Sequence, residues 1–139
     1  MLVEIIKSMR PTQWVKNTVI FAPLIFSGHA LQPGDLMRAL YAFFVFCVLS
    51  GAVYILNDLM DREEDRHHPV KSRRPIASGK LAVHQGLIAA LILSLLCLLA
   101  AFLLNPQFGV VAMAYLLLNL AYSRACCMNR ELPFAVSKL

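Results

Sequence analysis

The sequence predicts an all-α, polytopic transmembrane helical bundle of about four spans, and three observations predict it. Of 139 residues, 59% are hydrophobic and only 15% charged, whereas soluble domains carry about a quarter charged residues. The charge is also segregated: residues 58–80 hold 11 of the 21 Asp, Glu, Lys and Arg side chains, and the 43 residues from 81 to 123 hold none. That stretch is long enough for two membrane crossings of about 20 residues each. The apolar segments are continuous and rich in Leu and Ala, which favours helices over the roughly 10-residue alternating strands of a membrane barrel. The same pattern excludes disorder and a secreted disulfide domain. Cys47 and Cys97 sit inside apolar runs, Cys126 and Cys127 are adjacent, and none has metal-ligand spacing with a histidine.

Residues 17–34 contain no Asp, Glu, Lys or Arg but carry Pro23; a membrane helix tolerates such a proline where neighbours satisfy the freed carbonyl, so a kinked first span is predicted. Gln32-Pro33-Gly34-Asp35 is a turn signal. Residues 39–57 form the second span, closed by Asn57-Asp58. The third covers residues 82–104, Asn105-Pro106-Gln107-Phe108-Gly109 is a polar reversal, and residues 110–123 form a short fourth span. Residues 1–123 thus make one membrane domain, and residues 124–139 an atypical tail. The N-terminus lacks the apolar core and small-residue cleavage site of a signal peptide and is read as mature sequence.

Lys and Arg near span ends favour the cytoplasmic side. Lys7, Arg10 and Lys16 precede span one, six bases lie between spans two and three, Arg124, Arg130 and Lys138 follow span four, and only Arg38 falls on the other side. Both termini are therefore expected in the cytoplasm, with the protein integral to the plasma or inner membrane.

The segment between spans two and three carries the chemistry. Asp58, Asp61 and Asp65 recur at i, i+3 and i+7, which places three carboxylates on one face if span two continues as helix past Asn57. Like charges on one stripe repel, and a hard divalent cation such as Mg²⁺ or Mn²⁺, shared with substrate phosphates, would neutralise them. Lys71, Arg73, Arg74 and Lys80 follow as a cationic patch suited to phosphate oxygens. An acidic cluster followed by a basic one points to metal–diphosphate binding. A solvated, salt-bridged loop whose bases merely set topology competes evenly with that reading. His67 and His68 lack a third ligand at usable spacing. Lys16 has a competing role as a snorkelling residue, Trp14 is read as an interfacial anchor, and Asn119 and Tyr122 either line a site or are ordinary interface residues.

Asn57-Asp58-x-x-Asp61-x-x-x-Asp65 resembles the NDxxDxxxD motif of the UbiA superfamily of intramembrane prenyltransferases, in the place where that family carries it. The longer stretch NDLMDREEDRHHPVKSRRPIASG, with residues 9–17 (MRPTQWVKN) and 21–24 (FAPL), is similar to the branch of polyprenyl-phosphate phosphoribosyltransferases. The resemblance implies a cell-wall-type transferase that moves phosphoribose from phosphoribosyl pyrophosphate to a polyprenyl phosphate, with Mg²⁺ as cofactor and no nucleic-acid partner. Asp58, Asp61 and Asp65 would hold Mg²⁺ on the donor diphosphate, Asn57 would orient them, and Lys71, Arg73 and Arg74 would bind phosphate. Lys16 and Arg10 would reach donor or acceptor phosphate. An aromatic prenyltransferase using a prenyl diphosphate is the alternative within the superfamily.

The resemblance covers residues 9 to about 123. It implies a protein about twice as long, with nine helices and a second aspartate-rich motif, but here the one acid after Asp65 is Glu131. A truncated or frame-shifted chain is expected, and a non-catalytic membrane fragment stands as the alternative to an enzyme. Ser50, Gly51 and Asn57 would then face lipid or a second copy of the chain, and a homo-oligomer would cover them.

Overall fold

The computed structural model describes residues 1–28 and 32–136, with side chains described up to Ala125. Residues 29–31 of the predicted first span and Lys138 lie outside the described residues. So do the side chains of Cys126, Cys127, Arg130 and Glu131. The described chain is helical throughout: α1 (Leu2–Ser8), a 3-10 helix (Pro11–Phe21), α2 (Ala22–Phe26), α3 (Pro33–Met60), α4 (Arg62–His67), a 3-10 turn (Lys71–Arg73), α5 (Val83–Leu104) and α6 (Pro106–Val136).

Among the described residues, three helices are long and apolar enough to cross a membrane: Pro33–Met60, Val83–Leu104 and Pro106–Ala125. The predicted first span departs from this, being an 11-residue 3-10 run followed by the short α2. Such runs rarely exceed three or four residues, and Pro23 accounts for the C-terminal end of this one. In an α-helix the carbonyl of Val19 would accept from residue 23, which as proline has no N–H. Here Ala22 N–H donates to Val19 C=O instead, three residues back. Thr18 Oγ1 donates in the same register to Val15 C=O at 2.7 Å.

The 3-10 helix lies on α3, fixed by Phe21 against Phe43 with ring centroids 5.3 Å apart. Asn17 Nδ2 also donates to Ser50 Oγ at 3.1 Å. This contact buries Ser50, and Met9 covers Gly51 so closely that a Cβ there would stand 2.8 Å from Met9 Cε. Ser50 and Gly51 therefore do not face lipid, contrary to expectation, because the chain's own N-terminal segment occupies that side of α3; Asn57 is half-buried.

The predicted turn at residues 32–35 is the start of α3: Gln32 is the extended N-cap, and Pro33 takes the first position, where a missing N–H costs nothing. At about 1.5 Å per residue, the 28 residues of α3 reach beyond a hydrocarbon core of about 30 Å. The reversal between α5 and α6 is shorter than predicted. Asn105 alone is extended, its Oδ1 caps the amide of Gln107 at 2.8 Å, and Pro106 already begins α6. That helix continues through the tail to Val136.

α5 buries Gly86, Ala90, Ser94, Cys97 and Ala101, a stripe of small residues at helical spacing. Most of its leucines point outward, Leu95 being 70% and Leu103 77% exposed, while Leu93 and Leu98 pack against the core. Close packing of small residues is how helices associate where lipid removes the hydrophobic drive. One core cluster joins Val45, Leu49 and Val53 of α3 to Cys97 and Ala101 of α5 and to Ala112 and Leu116 of α6. A second, at the C-terminal end of α3, joins Ile55 to Met9, Ala90 and two residues of the inter-span loop, Ile76 and Leu81.

Candidate functional site

α3 ends at Met60, Asp61 caps it, and α4 begins at once. The three aspartates therefore do not lie along one continuous helix. Asp58 belongs to the last turn of α3, Asp61 is the joint, and Asp65 belongs to α4. Asp61 N–H donates to Asn57 C=O and Asp61 C=O accepts from Asp65 N–H, both at 2.9 Å. The joint itself orients the two flanking aspartates.

Asp58 and Asp65 are 2% and 1% exposed, and buried carboxylates need counter-charge. Arg74 provides it from the loop: its Nη1 lies 3.1 Å from Asp58 Oδ1 and 2.5 Å from Asp65 Oδ2. Arg10 Nη2 pairs with Asp58 Oδ1 from the other side. Lys71 Nζ stands 3.9 Å from Asp65 Oδ1, too far for a hydrogen bond. That oxygen is buried without any hydrogen-bond donor.

The loop that carries Arg74 is not the solvated face weighed above. Pro75, Ile76 and Ala77 are buried, Leu81 N–H closes onto Pro75 C=O at 2.9 Å, and Arg66 Nε donates to Ala77 C=O at 3.4 Å. Ile76 inserts between helices, where a Cβ on Gly86 would meet its Cδ1 at 3.3 Å. The hydrophobic anchor two residues downstream thus fixes where Arg74 stands.

Arg10 has φ +50° and ψ +65°, the one left-handed non-glycine among the described residues. Such a backbone costs on the order of 1–3 kcal/mol and persists where its surroundings hold it. A following proline favours extended backbone at the residue before it, so the side chain holds Arg10 in place: Asp58 binds the guanidinium, and the Tyr54 ring lies 5.0 Å below it. Tyr54 precedes Asp58 by four residues and so shares its face; that spacing was the available signal for a residue sequence reasoning missed.

Of the residues singled out from sequence, the structure brings together Asp58, Asp65, Lys71, Arg74 and Arg10. Asn57 and Asp61 are half-buried beside them, while Lys16, Arg73 and Lys80 are exposed. His68 Nδ1 accepts the amides of Val70 and Lys71, and His67 Nδ1 lies 2.8 Å from Glu63 C=O, so both rings shape the loop. Asn119 donates to Tyr115 C=O within its own helix, and Tyr122 points outward, 77% exposed.

The donor set suits a hard divalent cation. Two carboxylates already converge on one cationic nitrogen, and Asp65 Oδ1 retains an unfilled lone pair. Among the described residues no three Asp, Glu, His or Cys groups enclose a metal position. Mg²⁺ typically takes one or two carboxylates and completes its shell with phosphate and water.

Residues 18–135, which include Asp58, Asp65 and Arg74, match the UbiA prenyltransferase family. This chain belongs to that family. It is 39% identical over 118 residues to uncharacterized protein y4nM of Sinorhizobium fredii, a match covering 85% of this chain and 23% of that protein. It is 38% identical over 122 residues to decaprenyl-phosphate phosphoribosyltransferase of Mycobacterium tuberculosis, covering 85% and 40%. With nodulation protein NoeC of Azorhizobium caulinodans the identity is 36% over 118 residues, covering 84% and 38%. The UbiA-family chain thus spans less than half the length of the curated relatives it matches. Family membership together with three long apolar helices makes it an integral membrane protein. Arg10 and Lys16 precede the family match.

Proposed function

We propose that this UbiA-family chain forms the donor-diphosphate side of a Mg²⁺-dependent transferase that moves phosphoribose from phosphoribosyl pyrophosphate to a polyprenyl phosphate. The observation that carries the reading is the buried Asp58–Arg74–Asp65 cluster at the end of a membrane helix, in a chain 38% identical to a decaprenyl-phosphate phosphoribosyltransferase. Asp58 and Asp65 would hold Mg²⁺, with Asp61 at the joint and Asn57 keeping the turn in register. Bound Mg²⁺ would supply Lewis-acid neutralisation of the leaving diphosphate.

The chain's own cations do the remaining electrostatic work. Arg74, Arg10 and Lys71 stand around the carboxylates, and Arg73 and Lys16 are exposed to reach outlying phosphate oxygens. A phosphate acceptor is already ionised, so no general base is required and positioning carries the reaction. The basic ends, twelve of thirteen Lys and Arg, support a site at the cytoplasmic face with both termini inside. The outward leucines of α5 face lipid, the isoprenoid tail or a second copy of the chain.

The test is retention of labelled phosphoribosyl pyrophosphate by the chain in lipid nanodiscs with Mg²⁺, challenged with unlabelled geranylgeranyl diphosphate. Mg²⁺-dependent retention that the prenyl diphosphate does not displace is expected. Preferential binding of the prenyl diphosphate would assign the chain to aromatic prenyl transfer, and binding of neither would leave a non-catalytic membrane protein.

A further inference from the structure

Arg74 Nη1 sits between Asp58 Oδ1 and Asp65 Oδ2, at the point where a cation shared by both carboxylates belongs. We propose that Arg74 is an internal counter-ion that competes with divalent metal for the gap between Asp58 and Asp65, and transfers to the donor's phosphate when metal and diphosphate arrive together. The second half rests on the donor-site reading above; the first does not.

Electrostatics supplies the argument. Two carboxylates this deeply buried cannot stand uncompensated, so an empty site needs its own cation, and the loop delivers one. A guanidinium serves because it binds carboxylate and phosphate through the same fork geometry. The Arg74 side chain is a quarter exposed and long enough to swing from its docked backbone, whereas the aspartates are short and buried on helices; the guanidinium is therefore the partner that can move. Arg10, placed over the Tyr54 ring, remains on Asp58 and limits the charge imbalance during the exchange. Lys71, already 3.9 Å from Asp65 Oδ1, closes on the carboxylate as Arg74 leaves. Metal without diphosphate must displace Arg74 into water, with no anion to receive it. Metal with diphosphate offers that anion.

Trp14 is the sole tryptophan, and its Nε1 donates to Met9 C=O, next to Arg10, so its fluorescence reports on this end of the molecule. The experiment titrates the full chain in nanodiscs with MgCl₂ alone, then with phosphoribosyl pyrophosphate at fixed Mg²⁺, by Trp14 emission and calorimetry. Wild type is compared with Arg74→Gln and Arg74→Lys. Arg74→Gln is expected to bind Mg²⁺ alone at least about tenfold more tightly and phosphoribosyl pyrophosphate at least about tenfold more weakly, with Arg74→Lys between it and wild type in both. Unchanged or weakened Mg²⁺ binding in Arg74→Gln overturns the proposal. If that variant does not fold by circular dichroism, the same criterion applies to Arg74→Lys. Tighter Mg²⁺ binding with no donor binding by wild type supports the competition and overturns the donor reading instead.

Discussion

The two ends of α3 face opposite problems. Over residues 45–53 it packs Val45, Leu49 and Val53 against the small-residue stripe of α5, with leucines turned outward and no charge nearby. One to two turns further on it buries Asp58 and draws in Arg10, Arg74 and, through α4, Asp65. The body takes the bilayer as its solvent and needs only close fit. The end is assembled by charges that no solvent would compensate, so its geometry follows from which cation reaches which carboxylate.

Asp58→Ala should do the greatest damage, because it strands Arg10 and leaves Arg74 with Asp65 alone. Losing one partner of a buried pair costs about 3–5 kcal/mol, and a fall in thermal midpoint in detergent of the size expected for a surface change would show the cluster to be electrostatically slack. Within the body, Leu49→Ala should cost about 2–5 kcal/mol yet leave Mg²⁺ binding at the other end unaltered; coupled loss of both would erase the distinction. Gly109→Val tests close approach of α5 and α6, since a Cβ there would stand 2.4 Å from the Phe102 ring. Overpacking of this kind costs about 1–3 kcal/mol, read by the same denaturation. Leu103→Ala, on the outward side of α5, should change stability by no more than about 0.5 kcal/mol. A larger loss would place that residue in an interface.

The body was legible in the sequence because its signal is composition: the charge-free stretch from 81 to 123 gave α5 and most of α6. Asp58, Asp65, Lys71 and Arg74 were legible as members of one charged cluster. What the spacing did not reveal was that α3 breaks at Asp61, so that the aspartates meet across a joint rather than along a stripe. The fold of the loop escaped for a related reason. Its charges advertise solvent, while Ile76 and Leu81, two apolar residues among many polar ones, decide where it docks. The 3-10 course of residues 11–21 depends on a donor that Pro23 lacks and on Asn17 finding Ser50 across 33 residues. Local propensity sees the first of these and not the second.

The decisive measurement is calorimetric titration of phosphoribosyl pyrophosphate into the nanodisc-held chain, with and without Mg²⁺, for wild type and Asp65→Asn. Metal-dependent binding by wild type that Asp65→Asn abolishes while its helix content stays unchanged is the result this account predicts. Binding that ignores the metal, or that survives Asp65→Asn undiminished, would contradict it.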